Sequence, residues 1–175
     1  MVEAFTELAA PFYMQIKLIH LLAVMVWLFS TAVAYQNYLV PAFQAWRASP
    51  NDAQAIAMRN LAIERFDKGV VLEHVAFPVI MITGPVLWLV TGYGAESDWF
   101  VFKMLIVFGI FLPIEIMDYY LSHFGGNKAR HRHAGDMEAY ERDVEMHWRF
   151  LVSVTWPIVF FGVLAVVLAV LKPQF

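Results

Sequence analysis

Cysteine is absent from this 175-residue chain, and that omission removes several chemistries at once. It excludes disulfides, thiolate-bound zinc, iron–sulfur clusters ligated by the chain and covalent c-type haem attachment. Any metal must therefore rest on His, carboxylate, Met or Lys. Charge is scarce too: Asp, Glu, Lys and Arg make up 15% of residues, and the net charge is −3. The Lys and Arg residues are scattered through loops that are equally acidic, which sets aside a nucleic-acid surface. A basic secretory start is also missing, since MVEAFTELAAPFYMQ carries acidic residues where a signal would be basic. The apolar run behind it is longer than a signal core, so no cleavage is expected. No internal repeat, linker or second domain is visible.

Apolar residues fill the space left by charge. The chain is 61% hydrophobic with a mean hydropathy of +0.60. Four runs stand out, at about 14–38, 70–93, 99–124 and 148–171. Each is long enough to cross the roughly 30 Å of bilayer hydrocarbon. Lipid offers a backbone no hydrogen-bond partners, so these runs are expected to be helices. The expected fold is a single domain over residues 1–175: all-α, an integral membrane four-helix bundle in the lipid bilayer.

Arg47, Arg59, Arg65 and Lys68 lie in the first long connection, and Lys128, Arg130, Arg132 and Arg142 in the other. Basic residues favour the cytoplasmic side, so both long connections are expected there and both termini outside, N-out/C-out, in a bacterial cytoplasmic (inner) membrane. Tyr13, Tyr38, Trp46, Tyr93, Trp99, Tyr120 and Trp148 sit near the run ends, where aromatic residues prefer the headgroup zone. Pro78, Pro85, Pro113 and Pro157 fall inside runs and predict kinks. Ser49-Pro50-Asn51-Asp52 reads as the start of a short interfacial helix with Ile56, Ile63 and Phe66 on one face and Arg59 and Arg65 elsewhere. Gly125-Gly126 reads as a mobile turn, and a charged helix is expected from about Asp136 into the last run.

Ionisable residues inside apolar runs mark the candidate sites, because a charge at a helix centre costs about 2.5–3.5 kcal/mol to insert. His20 lies two turns inside the first run and Lys103 one turn inside the third, so the expected topology puts them at similar height. An imidazole and an amine at one level could bind haem iron and a propionate, or transfer protons and grip an anionic substrate. The plainer readings are a snorkelling Lys103 and a His20 that merely bonds a neighbouring helix. No second imidazole is expected at that depth. A haem would then be five-coordinate, or be completed by Lys103, by Met104 or Met25, or by His20 of a second copy in a homodimer. A second polar cluster falls toward the long connections: Glu73, His74, Glu115, Asp118, His123 and His147. Glu115 and Asp118 share a helix face. Carboxylates with imidazoles could bind a divalent metal or relay protons, although the spacing fits no specific metal motif and helix-end ion pairs are the plainer reading.

Ile16-Lys17-Leu18-Ile19-His20, continuing Leu-Leu-Ala-Val-Met-Val to Trp27, resembles the first helix of HemJ-type protoporphyrinogen oxidases. The likeness extends through Pro78 and Gly84, through Trp99 followed by Lys103, and to the closing Lys172-Pro173 and Phe175. It implies a membrane oxidoreductase of porphyrin biosynthesis that removes six electrons from protoporphyrinogen IX, binds haem b, and passes electrons to a quinone or another respiratory-chain acceptor. His20 and Lys103 match the family's functional histidine and lysine. The resemblance thus implies His20 as ligand to haem iron, Lys103 near a propionate or the substrate, and Trp27 lining the cofactor site. Family members carry a Tyr-His pair at the end of the third helix and an arginine ahead of the second-helix proline. Here Glu115, Asp118, Tyr119 and Tyr120 occupy the one region and Glu73-His74 the other. Acid near the site disfavours a propionate-bearing substrate, which implies a divergent member. Two alternatives stand beside it: an accessory subunit of a larger membrane redox complex, without a cofactor of its own, and a small transporter of metal ions or protons using His74, Glu115 and Asp118.

Overall fold

Apolar runs of this length satisfy their own backbone only by coiling, and the chain coils almost throughout. The structure, a computed structural model, describes residues 2–94, 96–124 and 128–174. The Gly125-Gly126 turn and Phe175 lie outside the described residues. α1 covers Val2–Ala48 and α2 Ala53–Thr91, with a turn at Val70. α3 covers 98–124, α4 Lys128–His133 and α5 Met137–Leu171. There is no strand among the described residues. Four helices are long and apolar enough to cross a membrane, so the chain is all-α with four candidate spans.

The helices overrun the expected runs, and in α1 the helix continues past Pro11 and Pro41. α1 stops only at Ser49, and α2 opens at the predicted cap, where Asp52 accepts from the Gln54 N–H at 3.0 Å. It ends at Gly92, whose φ of +69° is the left-handed conformation that glycine adopts without strain. Asp136 caps α5, accepting from the Ala139 N–H at 3.0 Å. The prolines act more locally than kinks alone suggest. Pro41 and Pro113 each follow a π-helical turn, at Tyr35–Leu39 and Val107–Phe111. A proline withdraws one donor and crowds the carbonyl four residues back, and widening the preceding turn relieves that conflict.

Two apolar clusters stack along the bundle. One lies in the half nearer the termini and includes Ala23, Trp27, Phe77, Trp99 and Phe111. The other joins α1, α2 and α5 at the end bearing the long connections and includes Phe43, Ile63, Tyr140 and Trp148. Trp99 and Trp148, expected in the headgroup zone, are instead core residues, 7% and 5% exposed. Trp148 stacks on Phe43 with ring centroids 4.0 Å apart.

The first long connection also departs from expectation. The apolar face of residues Ala53–Gly69 packs on protein: Ile63 and Phe66 are buried. Arg59 shares that buried face. Its guanidinium lies 4.4 Å from the Trp46 ring centroid and donates to Asn60 and, at 2.5 Å, to Glu141. The apolar stem and stacked head explain why a charged residue can occupy an inward position.

Candidate functional sites at two depths

His20 and Thr83 meet across the closely paired α1 and α2, with His20 Nδ1 and Thr83 Oγ1 2.8 Å apart. Thr83 spends its one hydrogen on the Val79 carbonyl at 2.6 Å. Its oxygen can therefore only accept, so the hydrogen between the two side chains belongs to His20 Nδ1. In the neutral ring this fixes the tautomer, and Nε2 then presents a lone pair. Gly84 lies beneath the ring, and a Cβ there would stand 3.5 Å from His20 Cε1, in ordinary contact. Lys103, half-buried on α3, is within electrostatic reach of His20.

Trp27 lies two turns along α1 from His20 and turns its polar edge away from it. The indole packs against Phe77 and Phe111, and its Nε1–H donates to Glu115 Oε1 at 2.5 Å. Trp27 therefore connects the level of His20 to the second polar cluster.

The plainer reading as ion pairs is met by His74, His147 and Asp118, but the pairs are buried rather than at open helix ends. Glu73, His74, Glu115, Asp118 and His147 are each no more than 9% exposed. Asp118 sits at the hub. Its Oδ2 is 3.0 Å from His74 Nε2, and its Oδ1 is 3.3 Å from His147 Nε2. His74 Nδ1 continues to the half-buried His123 Nε2 at 2.8 Å. On the other side, His147 Nδ1 stands 3.2 Å from Asp67 Oδ1. Each of those two atoms is buried without a hydrogen bond, because the approach is out of line. Asp67 Oδ2 accepts from Lys128 Nζ at 2.7 Å. Glu73 and Glu115 line one small cavity together with Asp118.

A third π-helical turn, Tyr120–Phe124, makes part of this geometry. Asp118 and His123 are five residues apart, so an α-helix would splay them. A turn closed at i+5 brings both onto the face that meets His74.

No group of three or more His, Asp or Glu side chains among the described residues is arranged to hold a metal ion. The donors are instead strung out pairwise. The sequence reading missed Thr83 and Asp67. Thr83 left a weak signal as a lone hydroxyl in an apolar run, whereas Asp67, between Arg65 and Lys68, reads as a solvated charge. Compared with family models, with curated proteins and with solved structures, the chain matches none.

Proposed function

We propose that this chain is a haem b-binding redox protein of the bacterial cytoplasmic membrane, a divergent relative of the HemJ-type protoporphyrinogen oxidases that its first helix resembles. The observation that carries the reading is the state of His20. Its Nδ1–H is committed to Thr83, whose own hydrogen is committed to Val79, so Nε2 is left with a free lone pair in an apolar setting. Metal-ligating histidines are oriented in this way, with the second nitrogen donating to a fixed acceptor. The residues present fit the group: a neutral, oriented imidazole for the iron, and in Lys103 a nearby cation for a propionate or an anionic substrate.

Bound haem would supply reversible one-electron transfer. The protein's part is to orient His20, to keep its surroundings apolar, and to place positive charge at the same height. The long connections face the cytoplasm in this reading, since basic residues concentrate there, and a quinone or another membrane carrier is the electron acceptor. His20 of a second copy could complete six-coordination, because neighbouring Ile19 and Leu22 are half-exposed on the outer surface of α1. Oxidised-minus-reduced absorption spectra of wild type and His20→Ala test the proposal. A b-type band lost in the variant supports it. A featureless spectrum from folded wild-type protein overturns it and favours an accessory subunit.

A further inference from the structure

We propose that the buried polar cluster is a proton path running from the end of the bundle that bears the long connections to the Glu73–Glu115 pair near its middle. The proposal does not require haem at His20. It starts from a count of hydrogens. Where His74 is neutral and donates Nε2–H to Asp118, its Nδ1 accepts from the His123 Nε2–H, and every contact in that arm is satisfied.

The other arm is open: His147 Nε2 meets Asp118, whereas His147 Nδ1 and Asp67 Oδ1, 3.2 Å apart, are not hydrogen-bonded. A small ring rotation brings the two into line for a proton to pass between them. Glu73 and Glu115 meet at one cavity with Asp118, and two carboxyl groups brought together attract only with a proton between them. An open gap near the protein surface and a carboxyl pair at depth are thus linked through Asp118.

The step from Asp118 to the deep pair has room for a carrier. A cavity of about 20 Å³ is bounded by Thr31, Glu73, Glu115 and Asp118 among others, which is enough for one water. Glu73 Oε2 and Thr31 Oγ1 are buried without a protein partner, and Glu73 as a whole is only 4% exposed. Polar partners and sufficient volume together make a water site. In one transfer, Asp67 gives its proton to His147 Nδ1 as His147 Nε2 passes one to Asp118. A water then carries the proton from Asp118 to the Glu73–Glu115 pair, a fresh proton reaches Asp67 from the protein surface, and a turn of the His147 ring returns the hydrogen to the Asp118 side. Tyr119 packs edge-on to His74 and His123.

A purely structural role, hydrogen-bond glue between helices, predicts the same contacts but no traffic through them. Difference infrared spectroscopy on the full chain in lipid nanodiscs separates the two. The wild type should show a protonated-carboxyl carbonyl stretch that disappears in Glu73→Gln or Glu115→Gln and shifts quickly on transfer to D₂O. Asp118→Asn, which cuts both arms, should slow that exchange by about 10²-fold, the scale of a positioned proton-transfer group. Glu145→Gln, at a half-buried position outside the cluster, should leave it unchanged. If Asp118→Asn does not fold, His147→Gln and His74→Gln are read instead, and at least one must slow the exchange. A wild type with no such band, or exchange at the wild-type rate in every folded variant, overturns the proposal.

Discussion

His20 differs from a generic buried histidine in that its tautomer follows from its neighbours. Thr83 cannot donate to it without breaking the bond to Val79. Thr83→Val should therefore leave the helices packed but free the ring to turn. The expected outcome is a fall in haem affinity of about 10- to 100-fold, typical of losing such a supporting partner, measured by titrating haem into apoprotein. Unchanged affinity would mean that the Thr83 contact has no bearing on the ligand. Lys103→Met should weaken binding less, because the cation acts on the periphery of the group and not on the iron. His20 and Lys103 were both legible in the sequence as ionisable residues in apolar runs. Asp67 was not, because a carboxylate between two basic residues looks solvated, and only the fold brings His147 and Lys128 to it.

At the scale of elements, α1 and α5 approach closely where Gly162 faces Leu28. A Cβ on Gly162 would stand 2.6 Å from Leu28 Cδ1, so this glycine is a packing device of the kind that lets membrane helices come together. Gly162→Leu should force the helices apart and lower stability by about 1–3 kcal/mol, read as a reduced unfolding midpoint by circular dichroism in detergent. Adding Leu28→Ala should recover part of the loss, and the absence of recovery would place the strain elsewhere. Long helices, the cap at Asp52 and the start near Asp136 were readable from hydropathy and capping chemistry. The π-helical turns were not. Two answer to a following proline, but the one at Tyr120–Phe124 has no local cause in the sequence and reveals itself only through the contacts of His74 with Asp118 and His123. The inward position of Arg59 was equally hidden, since it depends on Trp46 from another helix.

For the whole molecule, four helices stack an apolar cluster near the termini on a second one at the opposite end, with the polar network between and beside them. The chain's lack of cysteine makes its orientation easy to test. In sealed right-side-out vesicles, Glu96→Cys should react with a membrane-impermeant thiol reagent from outside, and Asn51→Cys only after permeabilisation. The reverse pattern would invert the proposed topology and bring the proton path in from the other compartment. The central claim rests on the oriented imidazole of α1, and one comparison addresses it most directly: dithionite-reduced minus oxidised spectra of detergent-purified wild type and His20→Ala, each confirmed helical. The account predicts a sharp b-type band in the wild type that is absent from the variant. A band of equal strength in both would place haem elsewhere, and no band in either would contradict the redox reading itself.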